Sequence, residues 1–115
     1  MAAKYLLEEG YQILERNYRC PLGEIDLIAR EREILAFIEV KTRTPASDRY
    51  GPPQLAITPR KRHQVIRVAS YYLAQKRISG QDCRFDIVAV RYLIGRDHPE
   101  ISLIKNAFEV EEGRK

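Results

Sequence analysis

The stretch from Gly23 to Lys41 limits this chain more than any other. It predicts two β-strands joined by a tight polar turn. Apolar β-formers fill both arms, and only Arg30 to Glu33 interrupts them. Side chains alternate faces along a strand. Glu24 and Asp26 are therefore expected on one face of the first arm, and Glu39 and Lys41 on one face of the second. With Arg32-Glu33 as a two-residue loop, paired residue numbers sum to 65. That register sets Asp26 opposite Glu39 and Glu24 opposite Lys41. A one-residue slip would send each pair to opposite faces, and the turn lacks the Asn-Gly signal of a strong two-residue loop.

In this register two carboxylates face each other at close cross-strand range, where like charges destabilise a sheet. The neighbours Ile25, Leu27, Ile28, Phe37, Ile38 and Val40 predict a largely buried sheet, in which unpaired charge costs more. A hard cation resolves the conflict. Mg²⁺ takes oxygen ligands and commonly only one or two protein carboxylates.

The 115 residues form a single expected domain, 1–115, large enough for a core without disulfide or metal staples. No apolar run approaches the ~18 residues of a membrane span. The start, Met1 to Tyr5, lacks the n-region and h-region of a signal peptide, so a cytoplasmic protein is expected. Cys20 and Cys83 make no CxxC motif and read as free thiols.

Charge is unevenly spread. Residues 1–40 carry −3, residues 41–77 carry +8 from 9 basic and 1 acidic side chains, and residues 78–115 carry −1. A basic segment directly after a carboxylate hairpin is the footprint of a polyanion partner. A solvated helix face is the plain alternative.

Ala2 to Glu9 predicts a short helix with Ala2, Tyr5 and Leu6 on one face, stopped by Gly10. Tyr11 to Arg19 predicts a strand, and Cys20 to Gly23 a turn. Thr42 to Ile57 predicts a loop rich in Pro, Ser, Asp and Gly. Thr58-Pro59 is a helix start, with Thr as N-cap and Pro at the first helical position. The helix should run to about Ser79, with Gly80 beyond it. Val65, Val68, Ala69, Tyr72 and Leu73 form its apolar stripe. Arg60, Lys61 and Arg62 fall in its first turn, where the dipole disfavours cations by up to ~1 kcal/mol each. Cations and free N–H groups together make a phosphate site; three solvated cations are the alternative. Cys83 to Tyr92 predicts a strand, with Phe85, Ile87 and Ala89 on one face and Asp86, Val88 and Val90 on the other. Asp86 reads as paired with Arg84 or Arg91. Glu100 to Phe108 predicts a last strand, and 109–115 a frayed tail. There is no internal repeat, glycine-rich phosphate loop or Ser-His-Asp grouping, and His63 and His98 lack ligand-spaced partners for zinc.

The order helix, three strands, helix, two strands, with an acidic residue on the second strand and Glu-x-Lys closing the third, resembles the PD-(D/E)xK nuclease fold. That is the fold of restriction endonucleases and archaeal Holliday-junction resolvases. The resemblance implies an α/β, restriction endonuclease-like core with a central mixed sheet flanked by helices. Four segments together resemble the YraN-like family of uncharacterised bacterial proteins over residues 2–108: Gly23 to Ala29, Phe37 to Arg43, Tyr50-Gly51, and Arg84-Phe85-Asp86. Carried over position by position, Asp26, Glu39 and the backbone carbonyl of Val40 would hold Mg²⁺ or Mn²⁺. Lys41 would orient the attacking water and stabilise charge on the phosphate. Glu24 belongs to the family's Gly-Glu-Ile-Asp segment and joins the catalytic set. Relatives carry a further acidic residue in a longer first helix, ahead of an Ala-Ala-x-Tyr-Leu segment. This chain begins at Met1-Ala2-Ala3, and weaker metal binding is expected if that carboxylate assists.

A metal makes the chemistry possible by lowering the pKa of water and neutralising phosphate charge, and a nearby ammonium adds to that. Lys41, Arg43, Arg60, Lys61 and Arg62 are the expected nucleic-acid contacts. The partner is nucleic acid, with DNA expected. No membrane and no small-molecule cofactor are expected, and a homodimer stays open. The leading reading is a metal-dependent endonuclease for branched or structured DNA. Alternatives are a nucleic-acid-binding module that keeps the nuclease fold without cutting, and a small protein-interaction domain.

Overall fold

The computed structural model describes residues 1–45 and 58–108. Residues 46–57, with the Tyr50-Gly51 segment and most of the expected loop, and the expected tail 109–115 lie outside the described residues. The elements are α1 (Ala2–Glu8), β1 (Gln12–Cys20), β2 (Gly23–Glu31), β3 (Ile34–Arg43), α2 (Pro59–Gln75), β4 (Cys83–Arg91) and β5 (Glu100–Phe108). This is the expected mixed α/β order. The strands form one five-stranded sheet in the order β1-β2-β3-β4-β5. Its only parallel pair among these strands is β3 with β4. A parallel pair needs a long crossover, and α2 lies within that connection.

The two sheet faces carry two cores. On one, Val65, Val68, Ala69 and Tyr72 of α2 pack against Ile25, Ile28, Leu35, Phe37 and Phe85. On the other, Ala3 and Leu6 of α1 and Tyr11 pack against Leu27, Ala29, Ala36, Ile38, Val88 and Val90. The stripe expected of α2 is buried, with Leu73 partly so. In α1 the buried residues are Ala3 and Leu6; of the expected face of Ala2, Tyr5 and Leu6, Ala2 and Tyr5 are only half-buried. Gly10, at φ +95°, closes α1 in a conformation that a side chain disfavours.

Several boundaries differ from the sequence reading. β3 runs to Arg43, so the loop begins at Thr44 rather than Thr42. α2 ends at Gln75, four residues before Ser79. Arg77 takes the left-handed conformation (φ 58°) that was expected later, at Gly80. Ile78 N–H then donates to Leu73 O at 2.8 Å and Arg77 N–H to Ala74 O at 3.1 Å. These are the two bonds of a Schellman ending, and Ile78 packs onto the α2-side core.

The expected hairpin register holds where β2 and β3 pair: Glu31 with Ile34, Ala29 with Ala36, Leu27 with Ile38. Arg32, at φ 56°, supplies the left-handed turn residue in place of Asn or Gly.

Asp86 is the buried charged residue among those described, 1% exposed. Arg84 donates to it from Nε at 2.9 Å, Tyr11 hydroxyl at 2.8 Å and Asn106 N–H at 2.9 Å. Arg84 also pairs with Glu31 at 2.7 Å, which accepts Lys105 at 2.7 Å. The bond to Asp86 above all holds the Arg84 guanidinium charged, while burial first and Asp86 second push the Tyr11 phenol up. The ladder between β4 and β5 shifts register at this point, and the Asp86 carboxylate takes the Asn106 N–H there. The Arg84 pairing expected of Asp86 is present, and the network ties β2, β4 and β5 to Tyr11 in the connection ahead of β1.

Candidate active site

β2 and β3 stop pairing at Leu27 and Ile38, one step before Asp26 and Glu39. The cause lies in β2 itself. Ile25 and Leu27, two residues apart, should share a face, yet Ile25 lies in the α2-side core and Leu27 in the α1-side core. β2 therefore turns over at Asp26. Opposite it on β1, Asn17 does the same with φ 51°, between Arg16, paired with Leu27, and Tyr18, paired with Ile25. Asn tolerates this backbone better than most residues.

The flip opens a seam between β2 and β3, and Asp26 fills it. Its Oδ2 accepts the Val40 N–H at 2.8 Å. This replaces the ladder bond that Val40 loses when β2 departs, and a buried N–H needs such a partner. Asp26 also lines a concavity of about 400 Å³ on the α1 side, with Met1, Ala2, Ala3, Arg16, Asn17, Leu27 and Val40.

β3 keeps regular alternation. Leu35 and Phe37 face α2, Ala36 and Ile38 face α1, and Val40 packs on the α1 side. Glu39 and Lys41 therefore project toward α2, as expected of a shared face. Glu39 is met there by Lys61 from the first turn of α2, with Nζ 3.5 Å from Oε2. Burial pushes the Glu39 carboxyl up, and the charge of Asp26 adds to that; Lys61 and Lys41 pull it back. Burial likewise pushes the Lys41 ammonium down, helped by Arg43 and Lys61 and opposed by Glu39. Glu39, Lys41 and Lys61 thus lie within each other's fields, and Asp26 lies within that of Glu39. Asp26 enters through the seam, not across a shared face.

Glu24 is a correction. It was expected opposite Lys41, but β2 does not pair with β3 there. It pairs with β1, where Glu24 sits opposite Arg19 and bonds its Nε at 3.3 Å. Both side chains are more than half exposed, so the ion pair is a weak surface one. Glu24 does not join the carboxylate site.

Gly23 explains the start of the Gly-Glu-Ile-Asp segment. Its φ is +143°, and an added Cβ would lie 2.7 Å from Gln64 Nε2 and 3.2 Å from Val68 Cγ2. The absence of a side chain lets β2 pass close under α2, bringing the flip at Asp26 near the helix start.

The basic residues divide. Thr58 caps α2 by accepting Lys61 N–H at 3.2 Å, with Pro59 in the first turn, as expected. Arg60 and Lys61 line a concavity of about 390 Å³ with Leu22, Thr58, His63, Gln64 and Arg67. Arg62 is half-buried and does not line it. Arg43 lies beyond Lys41 on β3 and lines a separate cavity of about 550 Å³ with Arg91 and residues of β4 and β5. The sequence reading missed His63 and Arg67. Their spacing from Arg60, three and seven residues on, was the available signal for a second, cationic stripe on α2.

The donor set suits one hard cation. Among the described residues no three His, Cys, Asp or Glu side chains gather. Two carboxylates, one raised by the other's charge, are the number that Mg²⁺ commonly takes from a protein. Among the described residues no helix is long and apolar enough to cross a membrane.

Comparison with known proteins gives one consistent answer. The model of "Uncharacterised protein family UPF0102" matches residues 1–90. A UPF0102 protein of Syntrophus aciditrophicus is 49% identical over 114 residues, covering 99% of this chain and 87% of the relative. One of Moorella thermoacetica is 48% identical, covering 93% and 88%. One of Lachnoclostridium phytofermentans is 50% identical, covering 94% and 86%.

Proposed function

The chain belongs to the uncharacterised, YraN-like protein family UPF0102, and on that premise we propose that it is a Mg²⁺- or Mn²⁺-dependent endonuclease acting on branched or structured DNA. The observation that carries this reading is a pair of carboxylates at the open end of the β2–β3 hairpin: Asp26 lies close enough for its charge to raise the Glu39 carboxyl, and Lys41 and the Lys61 of the cationic first turn of α2 lie in the field of Glu39. The resemblance to PD-(D/E)xK nucleases supports it, through the same residue types on the same strands.

Asp26, Glu39 and the Val40 carbonyl would hold the cation, which supplies a more acidic water and neutralises phosphate charge. Lys41, one alternation beyond Glu39 on β3, would orient the water. Hydrolysis forms one bond from phosphorus to the water oxygen and breaks one to the departing sugar oxygen. Lys41 and Lys61 sit where they can stabilise the charge that develops meanwhile. Arg60 and Arg67 would hold flanking phosphates along the concavity.

One observation favours the alternative, a binding module that no longer cuts. Both carboxylates already have partners, Asp26 in the Val40 N–H and Glu39 in Lys61. The deciding experiment offers purified protein single-stranded, duplex, flap and four-way-junction DNA with Mg²⁺, Mn²⁺ or EDTA. Metal-dependent cleavage lost in Asp26→Asn and Glu39→Gln, with binding retained, supports the nuclease. Binding without cleavage under every condition assigns the module.

A further inference from the structure

We propose that Lys61 is an exchangeable counter-ion of Glu39: it yields the carboxylate to a divalent cation and turns to a substrate phosphate, so cation and nucleic acid bind cooperatively. This rests on the active-site reading above and gives that site a coupling device.

Three features carry it. The first is charge. Asp26 and Glu39 are matched in charge by Lys41 and Lys61, with Arg43 adding a further cation beside Lys41, so the site carries no net negative charge without a metal. A divalent cation makes it strongly positive, and repulsion then falls on whichever ammonium can move.

The second is mobility. Lys41 stands on a central strand, between β2 and β4 in the sheet. Lys61 stands on the first turn of α2, its side chain 34% exposed. Its 3.5 Å contact with Glu39 is longer than the ~2.7–2.9 Å of a tight charge-assisted bond. Such a loose, half-wet pair gives way at little cost.

The third is a second resting place. Lys61 Nζ also lies 3.4 Å from Gln64 Oε1. Lys61 and Gln64 both line the concavity shared with Arg60, His63 and Arg67. An ammonium released from Glu39 need only swing toward that wall to meet a phosphate held there.

Coupling of this kind is reciprocal: the factor by which cation strengthens nucleic-acid binding is the factor by which nucleic acid strengthens cation binding. Two readouts test it on the whole chain. Melting temperature against Mn²⁺ concentration, without DNA, gives cation affinity. Anisotropy of a labelled four-way junction, at constant ionic strength with Ca²⁺ or EDTA, gives the coupling. Lys61→Met and Lys61→Gln remove the ammonium. Each should bind Mn²⁺ about threefold to fivefold tighter than wild type, the size of a weak ion pair no longer broken. Each should also lose most of the Ca²⁺-dependent gain in junction affinity. Arg67→Ala, on the same wall without a Glu39 contact, should weaken junction binding and leave the Mn²⁺ midpoint unchanged.

Unchanged or weaker Mn²⁺ binding in both Lys61 variants overturns the exchange and leaves the active-site reading standing. An equal tightening in Arg67→Ala also overturns it, because the effect would then be a general field. A wild type that binds no Mn²⁺ at millimolar concentration overturns the site and the exchange together.

Discussion

Glu39→Gln should make the metal-free protein more stable, against the usual direction of a mutation at a half-buried position. The glutamine keeps the shape and removes a charge that the fold disfavours. Glu39 is 20% exposed at its side chain, and burial followed by the Asp26 charge raises its pKa. The like charge of Asp26, just beyond the paired part of the ladder, costs up to about 1 kcal/mol, and partial desolvation of a polar group adds roughly another 1 kcal/mol. Against this stands the Lys61 pair, worth about 0–1 kcal/mol at such exposure. The net gain is about 1 kcal/mol, or roughly 3–5 °C in Tm for a domain of this size. The assay is a thermal melt in EDTA at several pH values. A carboxyl whose folded pKa is raised contributes stability that is complete below its ordinary pKa and is lost as pH rises through the folded value. The advantage of Glu39→Gln should therefore be present at pH 7 and vanish near pH 3.5, where both proteins are neutral at this position. Millimolar Mg²⁺ should reverse the ranking, since wild type gains more from the ion. A variant less stable than wild type at pH 7 in EDTA would refute the reasoning and make Glu39 a structural partner of Lys61.

Three further outcomes follow from particular contacts. Asp86→Ala should cost about 3–5 kcal/mol in urea unfolding, because it leaves Arg84 half-paired and strands the Tyr11 hydroxyl and the Asn106 N–H; a loss under 1 kcal/mol would mean the network contributes little. Gly23→Ala should destabilise by about 1–3 kcal/mol, because φ +143° is strained for alanine and the new Cβ would press on Val68 Cγ2 at 3.2 Å. Adding Gln64→Ala should restore little of that, since the amide end of Gln64 can swing aside on its own. For junction binding, the slope of log K against log salt should flatten by ~0.7–0.9 for each phosphate contact removed. Arg60→Ala and Arg67→Ala should each flatten it, and half-buried Arg62→Ala should not; equal effects from all three would assign α2 a diffuse field with no track.

The sequence alone determined the element order, the β2–β3 register and the apolar stripe of α2. These rest on local alternation, helical spacing and the Thr58-Pro59 cap, which neighbouring residues settle among themselves. It also determined that Glu39 and Lys41 share a face, because β3 is a regular central strand. The tertiary structure decided the rest. Alternation assumes an unbroken strand, and β2 turns over at Asp26, opposite a left-handed Asn17 on a different strand. That flip takes Glu24 to Arg19 and sends Asp26 into the seam against Val40 N–H. The contact of Lys61 with Glu39 joins residues 22 apart in sequence, through a helix whose buried Val68 lies close against Gly23. Periodicity describes how a residue faces within its own element. Which charges meet is fixed by how elements pack, and that depends on pairwise contacts at long range that no local pattern encodes.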